Sequence, residues 1–160
     1  MNDQELLETL LEQERQLQFD KFDNETALAI GMALVERGQA EKLAMAVDVT
    51  RARQQLFHAA LPGTTADNDE WIRRKTNLVY RVGHSSFYLG TQWRMSGVPF
   101  EKKFEGMPIQ DYAAHGGCFP VILRGTGMIG TVTVSGLPQA EDHRMVVETI
   151  EAYLAKNRRG

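Results

Sequence analysis

Two stretches, Ala113–Leu123 and Ile129–Gly136, leave this chain few choices of fold. Both contain apolar, β-branched runs. Arg124-Gly125-Thr126-Gly127 joins them with the glycines that a tight reversal needs, so the pair reads as a β-hairpin. In the second run Thr131, Thr133 and Ser135 alternate with Val132 and Val134. A period of two puts valines on one face of a strand and hydroxyls on the other. His115-Gly116-Gly117 sits just before the first strand, where two glycines let the backbone approach another chain or a ligand closely beside an imidazole.

A chain of 160 residues with 42% hydrophobic composition suits one globular domain, residues 1–160, that buries its own core. The net charge of −3 gives no argument for nucleic acid or an anionic membrane as a partner. No apolar run approaches the roughly 20 residues of a membrane span. The first residues, Met1-Asn2-Asp3-Gln4-Glu5, are acidic and lack the basic start of a signal peptide. Cys118, the single cysteine, has no partner for an internal disulfide. A soluble, cytoplasmic protein is expected.

Glu5 to Glu14 reads as a helix capped by Asp3, with Leu6, Leu7, Leu10 and Leu11 as its apolar stripe. That stripe serves either to dock on the chain's own core or to contact another subunit. Leu17 to Phe22 reads as a short strand. Asp23-Asn24-Glu25 opens a second helix, continued by Leu28, Met32 and Val35, with Gly38 near its end. Gly31 inside it costs about 1 kcal/mol of propensity against alanine, which suggests close packing on the sheet.

Lys42 to Val49 reads as a strand with Leu43, Met45, Val47 and Val49 on one face. Ala44 and Ala46 lie on the other, which the small side chains suggest is covered too. Thr50 to Arg53 forms a turn, Gln54 to Leu61 a partner strand, and Pro62-Gly63 its end. Asp67 and Glu70 have the spacing of a capping box for a helix running to about Val82. Trp71, Ile72, Leu78, Val79 and Val82 share a face of that helix with Lys75. His84-Ser85-Ser86 breaks the pattern before a helical run from Phe87 toward Trp93. Met95 to Tyr112 has no clean period, and its phenylalanines predict a loop that packs down. Pro138 to about Leu154 closes the chain as a helix with Val146, Val147, Ile150, Tyr153 and Leu154 inward, and 157–160 form a frayed tail. Helices grouped around an antiparallel sheet describe an α+β fold.

Gly116, Gly117 and Pro120, then Gly130, Val134, Ser135 and Gly136 with Asp142 following, resemble a motif of the HbpS-like, so-called haem-degrading family, which includes GlcG and the C-terminal domain of PduO. Asp67-Asn68-x-x-Trp71-Ile72-x-Arg74-Lys75 and Ser85-Ser86 resemble one branch of it, and the likeness covers most of the chain. It implies a profilin-like α-β-α sandwich, assembly into a dimer or a larger homo-oligomer, and haem as a ligand or substrate. The alternatives are a non-catalytic interaction protein whose oligomer is the functional surface, and a binder of a small anionic metabolite.

Lys75 is the most informative residue. A lysine on an apolar helix face must snorkel or be paired. Either its stem packs on Trp71 while the head reaches water, or its charge lines a pocket for an anion, with Arg74, Arg81, Ser85 and Ser86 near the rim. His115 is either a loop imidazole bonded to backbone or a ligand-binding residue, and the first candidate to ligate haem iron; Lys75, Arg74 or Arg81 would then pair the propionates. His143, in the first turn of the last helix, is held neutral there and fits packing better than ligation. Ser85-Ser86 fits a helix cap better than an anion site. Cys118 reads as a small buried hydrophobe. Four scattered histidines and one cysteine predict no metal site. No phosphate loop, dinucleotide fingerprint, Gly-x-Ser-x-Gly or Cys-x-x-Cys is present.

Overall fold

The hairpin forms the middle of the molecule. Its runs become β4 (Cys118–Leu123) and β5 (Gly127–Ser135), and β5 is the central strand of a five-stranded sheet. The order is β1 (Gln18–Phe19), β4, β5, β2 (Ala46–Arg51), β3 (Gln54–Ala60). The computed structural model describes residues 1–158. Helices α2 (Asn24–Ala40) and α6 (Gln139–Asn157) cover one sheet face, and α3 (Ala66–Val82) covers the other. Between α3 and β4 come α4 (Ser86–Ser96), the single turn α5 (Phe100–Lys103) and a loop, while α1 (Asp3–Gln16) packs on α4. This is the expected α+β architecture of helix, sheet and helix layers.

The alternation in β5 governs what covers each face. Antiparallel register sets Val47 of β2 against Val134 and Val49 against Val132, while Asp48 meets Thr133 and Thr50 meets Thr131. The valine face, with Phe119 and Val121 of β4, builds the main core with Ile30, Leu34, Val146 and Ile150. Gly31 lies where a Cβ would enter the Phe57 ring of β3, so α2 seats directly on the sheet there, as its sequence suggests. The hydroxyl face is equally buried, with Thr131 and Thr133 fully covered under α3.

Several local expectations are corrected. The sheet is mixed, because β1 runs parallel to β4. β1 has two residues, since Asp23 already serves as the N-cap of α2. Leu28 and Met32 are about half exposed; the buried stripe of α2 is Ala27, Ile30 and Leu34. Strand β2 starts at Ala46, not Lys42, because residues 41–43 terminate α2, with Leu43 N–H donating to the Gly38 carbonyl. The hairpin turn is therefore Ala52-Arg53. Asn2, not Asp3, caps α1 in a box with Glu5, and Thr65 with Asn68, not Asp67 with Glu70, caps α3. In each case the residue three positions on reciprocates to the cap's backbone N–H. His115 to Gly117 precede β4, as their sequence suggests. The leucine stripe of α1 lies on α4, where Leu10 is buried with Phe87 and Tyr88. α6 extends to Asn157, so only Arg158 of the expected tail is described, and Arg159 and Gly160 lie outside the described residues.

Candidate functional site

Lys75 points from α3 into the hydroxyl face, and it does not snorkel: only 3% of its surface is exposed. Its ammonium donates to the Gly116 carbonyl at 2.9 Å, the Val134 carbonyl at 3.2 Å and Asp142 Oδ2 at 3.4 Å. Three protons meet three acceptors. Burial lowers the Lys75 pKa, against the pull of the Asp142 charge. Burial likewise pushes the Asp142 carboxyl up to about 6, against the Lys75 charge and the Leu137 N–H that its Oδ1 accepts at 3.0 Å. The pair ties α3, the end of β5, the start of α6 and the His115 loop into one knot. Gly117 makes this possible: its φ of +134° is open to glycine, and a Cβ there would sit 2.7 Å from the Lys75 ammonium.

That knot holds His115 on the floor of a cleft of about 460 Å³, a volume typical of small-ligand sites. Asn68, Trp71, Ser135, Gln139 and Asp142 complete its walls, with the Lys75 stem and Gly116 below. The imidazole packs edge-to-face on Trp71 at 5.3 Å and faces Trp93 of α4 at 6.3 Å. A smaller cavity of about 340 Å³ on the Trp93 side shares His115 and Gln139 as its boundary. Contrary to a loop histidine bonded to backbone, the His115 ring makes no hydrogen bond among the described residues. Burial and then the Lys75 and Arg74 charges lower its pKa, so it is a neutral imidazole with a free lone pair at neutral pH.

The structure brings Lys75, His115, Gly116 and Trp71 together, with Gly117 directly behind. It does not bring the remaining candidates into the cleft. Ser85 and Ser86 are fully buried. Ser85 caps α4 by accepting from Tyr88 N–H at 3.2 Å, and Ser86 Oγ accepts from Cys118 N–H at 3.0 Å. Arg74 donates to the Ile109 carbonyl at 2.6 Å and stacks on Trp71 at 4.5 Å; Arg81 donates to the Gly106 carbonyl at 3.3 Å. These arginines clamp the 104–112 loop onto α3, and Phe100 and Phe104 bury beneath it as the spacing predicted. His143 packs between Phe87 and Phe119, bonded through Nε2 to Gln13 at 2.8 Å. Burial lowers its pKa to about 4. Cys118 is fully buried and its thiol is pushed up to about 12.

Sequence reasoning did not place Asn68, Ser135, Gln139 and Asp142 in the cleft, nor Trp93 in the cavity beside it. Asn68, Ser135 and Asp142 belong to the motifs that carry the family resemblance, and Asp142 is also an acidic residue three places after the start of a helix, on the face that its neighbours bury.

Residues 22–151 match the family model described as haem-degrading protein, HbpS-like. A UPF0303 protein of Streptomyces coelicolor is 50% identical over 147 residues, covering 92% of each chain. The crystal structure of the Ybr137w protein superposes with a TM-score of 0.84 at 29% identity, covering 94% of this chain and 88% of that one. The crystal structure of a PduOC:haem complex shares the fold, with a TM-score of 0.63 at 18% identity over 78% of this chain and 88% of that one.

Proposed function

Because the chain belongs to the HbpS-like family of haem-degrading proteins, we propose that it binds haem in the cleft above His115. The observation that carries this reading is the imidazole itself: neutral, half buried, without a hydrogen-bond partner among the described residues, and flanked by two indoles. A neutral histidine nitrogen is a common protein ligand to haem iron, and the flat Trp71 wall of the cleft suits a flat ring. Bound haem supplies a redox-active iron centre. His115 would hold the iron through a ring nitrogen over a rigid floor, since Lys75 and Gln139 fix Gly116 directly after it and Ala113 N–H donates to the Arg74 carbonyl before it.

The cleft is poorly furnished for carboxylates. The three protons of Lys75 are taken, Arg74 and Arg81 hold loop carbonyls, and Asp67 and Asp142 line the same walls. Haem affinity would then rest on the His115 nitrogen and ring contact, with no propionate partner among the described residues of the cleft. A small anionic metabolite, the alternative, would meet no unpaired lysine or arginine among the described residues that line the cleft.

Haemin titration followed by absorption tests the reading. The expected result is a stoichiometric Soret band of a nitrogen-ligated iron that weakens at least about tenfold in affinity in His115→Ala, a loss on the scale of one strong directional contact. An unchanged titration in His115→Ala, or no saturable band in the wild type, would overturn it. A cytoplasmic setting and a homo-oligomer complete the proposal. The free, buried Cys118 supports the first. Exposed Leu28 and Met32 beside the α2–α6 groove support the second; light scattering that finds a monomer at micromolar concentration would remove it.

A further inference from the structure

On the opposite side of α3 from His115, the β2–β3 hairpin and α3 enclose another cleft of about 460 Å³. Asp48 stands in its wall. Register places Asp48 directly across from His58 on β3, so both share the hydroxyl face of the sheet. Asp48 is 4% exposed, yet no salt bridge among the described residues reaches it. One carboxylate oxygen accepts from Gln55 Nε2 at 2.6 Å. The other accepts from no group among the described residues. It is not sealed from solvent either, because His143 Nδ1 is the sole sealed, unpartnered side-chain atom among them. That second oxygen therefore opens on the cleft.

The cations around it are already engaged. Arg53 stacks on the Tyr80 ring at 4.3 Å and donates to Asn77 at 2.9 Å. Arg73 pairs with Glu70 and Asp111. His58 holds Asp69 through Nε2 at 2.7 Å. Hydroxyls nearby add further acceptors. Tyr80 Oη accepts from Arg53 N–H at 3.1 Å, and its proton is free for Thr50 Oγ1 at 2.7 Å, which in turn reaches Thr131 Oγ1 at 2.7 Å. Each hydroxyl can accept as well as donate, so the ladder can turn its protons inward toward β5 and leave lone pairs of Tyr80 and Thr50 to a ligand. A buried carboxylate without a cation is costly, and an acceptor-rich wall calls for a donor-rich group.

We propose that this cleft is a separate binding site for a small organic cation, a primary ammonium or amidinium whose N–H groups meet Asp48 and the Tyr80–Thr50 hydroxyls. Burial already pushes the Asp48 carboxyl up, and a bound cation would bring it back down. The site is independent of haem, since α3 stands between the two clefts.

The test is an amide NMR titration of the full chain with 1,4-diaminobutane, and with 1,4-butanediol as the uncharged control of equal length. Saturable shifts are expected at Asp48, Gln55, His58 and Tyr80 with the diamine and not with the diol. Asp48→Asn keeps the shape and removes the charge, and should weaken diamine binding by about tenfold or more, the scale of one charge-assisted hydrogen bond. If Asp48→Asn does not fold, the contrast between diamine and diol on the wild type decides alone. Equal shifts with both compounds, shifts confined to the His115 cleft, or none at millimolar diamine would overturn the proposal.

Discussion

The two faces of the central sheet are made by the same strands and buried to the same depth, yet they solve burial in opposite ways. Val47, Val49, Val132 and Val134 meet α2 and α6 with no polar atom to satisfy. Asp48, Thr50, Thr131, Thr133 and Ser135 meet α3 and must find a partner for each group. The valine face is held by non-directional packing and tolerates a shift; the hydroxyl face is held by geometry. Both candidate clefts open on the hydroxyl face, one on each side of α3. A helix that must satisfy hydrogen bonds rather than fill volume leaves gaps at its flanks, and those gaps carry whatever chemistry the protein has.

The largest test of this contrast is Lys75→Met. Removing the ammonium leaves Asp142 buried without its counter-charge and two carbonyls without a donor, and should lower stability by about 3–5 kcal/mol in urea unfolding. Combining it with Asp142→Leu should restore most of that loss, because an apolar pair replaces an ion pair at little net cost. If Lys75→Met alone is neutral, the hydroxyl face is not held by this knot.

Acid titration tests the same region more gently. His143 has its pKa lowered to about 4 from an ordinary 6.5, so its stabilising neutral form is fully present above 6.5 and is lost as pH falls toward 4. Asp142 has its carboxyl raised to about 6 from 3.8, so the folded state keeps a proton the unfolded chain has released, and stability falls as pH rises through that window. Each effect is worth about 3 kcal/mol and the signs are opposite. Between pH 4 and 6 the two effects therefore oppose each other in the wild type. His143→Gln should show a decline of about 3 kcal/mol over the same range as pH rises, measured by denaturant midpoints. A flat profile in the variant would contradict the assignment.

Much of this contrast was legible in the residues. Thr131 to Ser135 announced both faces of β5 through their period of two, and Lys75 on an apolar stripe announced that something polar lay opposite. Its partners were not legible. Two are backbone carbonyls, which have no sequence signature, and the third lies 67 positions away. For the same reason Arg74 and Arg81 looked free for a ligand when loop carbonyls had taken them. Asp48 went unremarked because the strand was read from Lys42, where Ala44 and Ala46 seemed to define its second face. His115 stood out because glycines beside an imidazole mark backbone that passes close to something, and the Lys75 knot is what it passes.

The finest test exchanges one atom group between neighbours on opposite faces. Val132→Thr adds a hydroxyl at nearly constant volume to a face where α2 and α6 offer no acceptor, and should cost about 1–3 kcal/mol, the desolvation of an unpaired hydroxyl. Thr131→Val removes a hydroxyl from the ladder that runs from Tyr80 through Thr50. Thr50 then keeps Tyr80 as a partner, so no group is wholly orphaned, and the loss should be smaller, about 1 kcal/mol. Urea midpoints of the two variants, measured side by side, give the order directly. A larger loss for Thr131→Val than for Val132→Thr would mean that the ladder binds the sheet to α3 more tightly than its individual bonds imply, and that the hydroxyl face, rather than the valine face, carries the greater share of the fold's stability.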